Sequence, residues 1–257
     1  MSRRIHALAL VLLFLPAILV AACNRVSQPA AEQTPPAEAP KPAVDVAKHM
    51  HEHMARVIDM QNAVIRGDLE AAVEPAKWIA DHQETEGLPP GTEVFVADMK
   101  KQAAAVAQAT DLRNAGTGTA MTISYCGSCH AAAKVTPAMP ELAKPAASNP
   151  TESHMLEHQW ATDLMYQGLA MPSEERWQKG LAAMQGSPLT EKDLPKDAKL
   201  TKEVVALEKK VHELAAKAKT TTDLGTKVAL YGEYLGGCAG CHSLHGKVWG
   251  PGLPKTQ

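Results

Sequence analysis

Two five-residue motifs carry the most specific chemistry in this chain. They share the spacing C-x-x-C-H and read Cys126-Gly127-Ser128-Cys129-His130 and Cys238-Ala239-Gly240-Cys241-His242. On one helical turn, two such thiols reach two vinyl groups on one edge of a porphyrin, and the following imidazole coordinates the iron. The sequence therefore predicts two covalently bound haem c groups. Their attachment residues are Cys126, Cys129, Cys238 and Cys241, and the proximal iron ligands are His130 and His242.

Redox dithiols and zinc sites use related cysteine spacings. A thioredoxin-like dithiol would lie near a βαβ pattern, which the sequence lacks, and zinc would need paired motifs within one domain. The two motifs also account for four of the five cysteines. Haem attachment is therefore the favoured interpretation.

The fifth cysteine, Cys23, ends an N-terminal targeting pattern. Arg3 and Arg4 precede an apolar stretch over 7–20, which is shorter than the roughly 20 residues of a membrane-spanning helix. Val20-Ala21-Ala22-Cys23 resembles a bacterial lipoprotein box, so residues 1–22 are predicted to be a signal peptide and Cys23 the lipidated residue. An ordinary cleaved signal with an incidental cysteine is the alternative.

Proline-rich segments divide the remaining chain. Residues 23–44 combine proline with Ala, Glu and Gln and are predicted to form a tether, and 136–150 are predicted to link two domains. The domains are expected at 45–135 and at 151–257, the latter with a C-terminal tail. The formal charge of −2 gives no indication of nucleic-acid binding.

The two predicted domains are related by an internal duplication. His49-Met50-His51-Glu52-His53 matches His154-Met155-Leu156-Glu157-His158 at an offset of 105, and the haem motifs match at an offset of 112. Apolar residues in each copy recur at intervals of three and four, which indicates helices. Asp68 and Asp111 are expected to cap helices. We predict an all-α protein of two tandem four-helix bundles, each with one haem at the end of its last helix.

A late C-x-x-C-H on a four-helix unit resembles the cytochrome c-prime family and its low-spin relatives. The resemblance covers 45–135 and 151–245 and depends on motif position and helix number rather than on identity. It implies that the distal iron ligand lies on the first helix of each copy and is methionine in low-spin members. Met50 and Met155 are therefore the predicted distal ligands, with His53 and His158 as the alternative one turn further along the same seam.

The sequence also predicts the surroundings of several other polar residues. The first copy's histidine-rich string admits a separate metal site, for which two histidines four residues apart are a weak indication. His82 and His212 lack counterparts in the other copy and are predicted to lie on the surface. Residues 208–219 are predicted to form a solvated helix face, and Glu52 and Glu157 to face solvent.

Electron transfer is the function that these features favour. The expected protein is an electron carrier rather than an enzyme, with redox proteins as its partners. Its lipid would anchor it on the periplasmic side of a bacterial membrane. Asn24 after the lipidated cysteine favours the outer membrane. A gas-binding protein for NO or CO, with an open distal position, is the alternative, and a dihaem peroxidase ranks third.

Overall fold

Eight α-helices and no strand occupy the parts of the chain that the structure, a computed structural model, describes: residues 45–82, 87–146, 149–193 and 202–245. The all-α prediction is confirmed. The predicted signal peptide, Cys23 and the tether lie outside these ranges. The helices are α1 Val46–Ile65, α2 Leu69–Asp81, α3 Glu93–Ala107, α4 Leu112–Ala133, α5 Pro150–Ala170, α6 Glu174–Ala183, α7 Lys202–Lys219 and α8 Leu224–His245.

An aspartate immediately precedes three of these helices and caps the first turn. Asp68 accepts a hydrogen bond from the Ala71 amide at 2.9 Å, and Asp111 accepts one from the Asn114 amide at 2.8 Å. These two predicted caps are confirmed, and a cap of this kind stabilises a helix by about 1 kcal/mol. Asp45 caps α1 in the same way. The chain therefore specifies locally where α1, α2 and α4 start.

The helices of each copy pack in chain order. α1 packs against α2, α2 against α3, and α3 against α4, and α4 returns to pack against α1. In the second copy α5 packs against α6, α6 against α7, and α7 against α8. Each copy therefore has helix packing consistent with the predicted bundle, with its motif-bearing helix last.

The two motif-bearing helices, α4 and α8, cross each other in an antiparallel arrangement. A Cβ atom on Gly232 would lie 2.9 Å from Cα of Thr117, and one on Gly236 would lie 3.5 Å from Cα of Arg113. Residue numbers fall along α4 as they rise along α8, so the helices run in opposite directions. Glycine at this crossing allows the two backbones to approach closely.

The first helix of each copy also packs against the motif helix of the other copy. Gly67, which follows α1 with a φ of +73°, has its Cβ position 3.0 Å from the Ala239 carbonyl oxygen on α8. The Cβ position of Gly127 on α4 lies 2.0 Å from the Leu169 carbonyl oxygen on α5. The two copies consequently share one core, and the described residues between 45 and 245 belong to a single compact unit.

None of the helices that the structure describes combines the length and the apolar character needed to cross a membrane.

Candidate cofactor and metal sites

The two C-x-x-C-H motifs occupy the last turns of α4 and α8, the position that the sequence predicts. All four cysteines are unpaired thiols and partly buried. Burial raises the pKa of Cys126 to about 12 and that of Cys241 to about 11. A redox dithiol needs a thiolate with a lowered pKa. The environment of these cysteines therefore does not favour dithiol chemistry.

The histidine of the first motif is oriented by a hydrogen bond that it donates to the other copy. Nδ1 of His130 donates to the carbonyl oxygen of Ala170, at the end of α5, at 2.7 Å. Because a carbonyl oxygen only accepts, Nδ1 carries the proton and Nε2 keeps its lone pair. Histidines that ligate metals are oriented by this kind of bond. His130 therefore fits the ligand that the motif predicts.

Side chains from three helices surround the first motif. Sγ of Cys126 lies 3.9 Å from Sδ of Met99 on α3. Gly127 meets the end of α5, where a Cβ would also lie 3.4 Å from Pro172. These contacts place the first motif at the meeting point of α3, α4 and α5.

Three histidines and a glutamate converge beside the second motif. We call them the second histidine cluster, and its members are His154 and His158 of α5 with Glu208 and His212 of α7. Their side chains are between 6% and 14% exposed. Oε1 of Glu208 lies 2.5 Å from Nε2 of His154, 3.1 Å from Nε2 of His212 and 3.8 Å from Nε2 of His158.

Charges connect this cluster to the second motif. Burial is the largest cause of the raised pKa values of Cys238 and Cys241 and of the lowered pKa of His158; Glu208 adds to the two cysteine shifts, and His242 adds to the shift of His158. Across the contact between α7 and α8, the Cβ position of Gly240 in the motif lies 3.2 Å from the side chain of Leu207, the residue before Glu208. The cluster and the motif of α8 are therefore neighbours.

The buried groups of the second cluster have shifted pKa values. Burial, the largest contribution, lowers the pKa of His158 to about 3, so its imidazole is neutral at neutral pH. Burial alone would raise the pKa of Glu208, but hydrogen bonds from His154 and His212 outweigh it and hold that pKa well below its usual range. The cluster therefore contains a buried carboxylate among imidazoles.

The first copy holds a smaller group, the first histidine cluster, of His49, His53 and His82. Nε2 of His82 lies 3.3 Å from Nδ1 of His49, and the rings of His53 and His82 are 5.0 Å apart. Trp78 stacks on His82 with ring centroids 4.2 Å apart. Burial is the main cause that lowers the pKa of His53 to about 3. Within the described residues this cluster has no carboxylate member.

The predicted distal ligands lie on the expected helices. Met50 and Met155 are partly buried on α1 and α5. His53 is 8% exposed. Nε2 of both His53 and His158 is buried without a hydrogen-bond partner among the described residues. The structure therefore brings the histidines into clusters, and the choice of distal ligand stays a prediction.

Three surface predictions were wrong. His82 and His212 are not surface residues but the third histidines of the two clusters, and Glu208 is 5% exposed rather than part of a solvated face. Glu208 lies on the buried seam of α7 with Val204, Val211 and Ala215. An acidic residue in register with an apolar seam was the signal that could have identified it.

The two glutamates of the duplicated strings make ion pairs on the surface. Glu52 is 48% exposed and lies 3.9 Å from Nζ of Lys48, and Glu157 pairs with Lys144. The prediction that Glu52 and Glu157 face solvent is consistent with these partly exposed ion pairs.

Comparisons with protein families, with curated proteins and with solved structures find no match to this chain.

Proposed function

We propose that this protein is a dihaem c-type cytochrome, related to the cytochrome c-prime group, that transfers electrons on the periplasmic side of a bacterial membrane. One observation carries the proposal: the histidine of a C-x-x-C-H motif has its Nδ1 proton held by a backbone carbonyl at 2.7 Å. That bond leaves Nε2 of His130 available to the iron of a haem attached at Cys126 and Cys129. Haem iron, when bound, supplies one-electron chemistry.

The protein residues around each motif provide attachment, orientation and exclusion of water. The partly buried cysteine pairs would hold a haem by its edge, and the packed helices around them would limit solvent access to it. On the distal side we retain Met50 and Met155, which the family resemblance places on the first helix of each copy, with His53 and His158 as the alternative. A thioether ligand favours ferrous iron and a higher potential, which suits a carrier.

Haem stoichiometry tests the cofactor. The full chain, produced with a haem-attachment system, is expected to contain two covalent haems in a pyridine haemochrome assay. Cys126→Ser with Cys129→Ser is expected to leave one haem, and so is the pair Cys238→Ser with Cys241→Ser. Ser128→Ala lies within the first motif but is not a ligand, so it serves as the matched control. A chain that attaches no haem overturns the proposal.

Visible spectra test the distal ligands and the carrier role. Met50→Ala and Met155→Ala are each expected to convert one haem from low spin to high spin and to allow carbon monoxide to bind there. Leu156→Ala is a control on the same helix as Met155. Unchanged low-spin bands would assign the distal positions to His53 and His158. Ready carbon monoxide binding by both wild-type haems would favour the gas-binding alternative.

The proposed location depends on the N-terminal sequence alone. Lipidation at Cys23 would attach the protein to a membrane, with the outer membrane favoured by Asn24. Mass spectrometry of the mature N-terminus and detergent partitioning of wild type against Cys23→Ser test this part of the proposal. Aqueous partitioning of the wild type would contradict lipidation.

A further inference from the structure

We propose that the second histidine cluster, His154, His158, Glu208 and His212, is a binding site for one divalent transition-metal ion that is separate from the haem irons. The four ligand atoms lie within 4.8 Å of one another and come from two helices, α5 and α7. The site uses none of the haem-attachment residues and none of the predicted methionine ligands, and it shares only His158 with the alternative set of distal ligands.

The ligand set and its dimensions suit a tetrahedral ion. Three imidazoles and one carboxylate are common zinc ligands, at about 2.0–2.2 Å from the ion. A tetrahedron with these bond lengths has ligand atoms roughly 3.3 Å apart. The distances from Glu208 to His212 and His158, 3.1 and 3.8 Å, lie on either side of that value. The 2.5 Å pair of His154 and Glu208 would open by less than about 1 Å on binding.

The hydrogen bonds of His212 require a positive charge at the centre of the cluster. Nδ1 of His212 lies 2.8 Å from the carbonyl oxygen of Met184 and must donate to it. In a neutral ring Nε2 is then an acceptor, yet it faces the carboxylate oxygen of Glu208 at 3.1 Å. Two acceptors at this distance repel unless a proton or a metal ion lies between them. A metal ion satisfies both, and the bond to Met184 then orients the ligand.

The orphaned nitrogen of His158 is a second, independent indication. Its Nε2 is buried, has no hydrogen-bond partner among the described residues and lies next to the other three ligand atoms. A buried polar atom without a partner costs free energy, so such atoms are rare in native proteins. Coordination to an ion would satisfy this nitrogen.

The duplication provides an internal comparison. Both copies bring three imidazoles together from an i, i+4 pair, although the third histidine comes from the end of α2 in one copy and from α7 in the other. The first cluster lacks a carboxylate ligand among the described residues. We assign the metal site to the second copy, because Glu208 supplies a fourth ligand there and neutralises part of the ion's charge.

Zinc binding by the haem-loaded protein tests the proposal. After dialysis against a chelator, the protein is titrated with Zn²⁺, and bound zinc is measured by elemental analysis together with haem iron. We expect one tight zinc and two haem irons per chain. His154→Ala, His212→Ala and Glu208→Gln are each expected to weaken zinc binding by at least about 100-fold. Glu208→Gln keeps the side chain's shape, so it tests the charge with little risk of misfolding.

His51→Ala is the matched control, because His51 is an exposed histidine in the first copy. It is expected to leave zinc binding unchanged. Absence of tight zinc binding, or zinc binding unaffected by His154→Ala and His212→Ala, would overturn the proposal. So would a His158→Ala variant that loses the low-spin haem spectrum but keeps its zinc, since His158 would then be an iron ligand. The haem assay tests the proposed function separately from the zinc site, because a variant that loses zinc is expected to keep both haems.

Discussion

At the scale of single residues, Gly127 is the position where a haem motif leaves no room for a side chain. A Cβ there would lie 2.0 Å from the carbonyl oxygen of Leu169, a backbone atom that cannot move aside alone. At the corresponding place the second motif has Ala239, which is buried, and its carbonyl oxygen lies 3.0 Å from the Cβ position of Gly67.

Gly127→Ala is expected to destabilise the protein by about 1–3 kcal/mol, the usual cost of overpacking, because α4 and α5 must separate. Chemical denaturation of the haem-loaded protein measures the change. Gly240→Ala in the second motif is the control, since its nearest neighbour is the flexible Leu207 side chain at 3.2 Å. Equal losses of stability in the two variants would contradict this account.

Asp163 is a second residue at which a substitution is expected to change stability, here in a pH-dependent way. Burial raises its pKa to about 7, although Gln159 donates a hydrogen bond to it. The folded state therefore holds a proton that the unfolded state releases near pH 4. Stability is greatest below that pH and falls as pH rises toward 7, by at most about 4 kcal/mol.

Asp163→Asn keeps the bond from Gln159 and removes the titration. The variant is expected to be more stable than the wild type, with a larger difference at about pH 7.5 than at about pH 5. Urea unfolding at the two pH values measures this. The buried histidines titrate in both proteins with the opposite sign, so their effect cancels in the comparison. A difference that does not grow with pH would show that Asp163 is not held protonated.

At the scale of helices, the crossing of α4 and α8 joins the two copies. A Cβ on Gly116 would lie 2.9 Å from the Gly232 carbonyl oxygen and 3.1 Å from the Gly236 amide nitrogen. Gly116→Ala is expected to lower the free energy of unfolding by about 1–3 kcal/mol. Gly236→Ala is the matched control, because its nearest neighbour is at an ordinary contact distance of 3.5 Å. Thermal or chemical denaturation that ranks the two variants in the reverse order would contradict this packing.

The helices were predictable from the sequence, whereas the packing of each first helix against the other copy's motif helix was not. Asp68 and Asp111 are local signals, and each caps the helix that it was expected to cap. The antiparallel crossing of α4 and α8 depends on contacts between residues more than one hundred positions apart. Glu208 was misassigned for a related reason: its charge suggested solvent, and only the partners from α5 explain its burial.

At the scale of the whole molecule, the antiparallel crossing separates the two motifs. Thr117 lies opposite Gly232, and both motifs lie beyond this point in opposite directions. At 1.5 Å per residue, they are roughly 30 Å apart along the helix axes. Each candidate haem therefore has its own neighbouring helices.

The two haems are accordingly expected to titrate independently. Two unit charges about 30 Å apart interact by roughly 0.5 kcal/mol at an effective dielectric constant of about 20, or about 25 mV for one electron. Removing the second haem with Cys238→Ser and Cys241→Ser should shift the midpoint potential of the first by no more than that. Spectroelectrochemical titration measures it. A shift near 100 mV would mean that the haems are much closer together than the antiparallel crossing of α4 and α8 allows.

Because each first helix packs against the motif helix of the other copy, the two copies resemble the subunits of a dimer joined in one chain. Each copy alone would present an unpaired glycine face on its motif helix and would find its complement in a second identical chain, as in a two-fold symmetric dimer. Joining the halves through the segment that connects α4 to α5 replaces a bimolecular encounter with an intramolecular one. In a single chain the two halves also no longer need to have identical sequences. Within the described residues, a carboxylate, Glu208, belongs to the histidine cluster of one half only, a difference that an assembly of identical subunits does not permit.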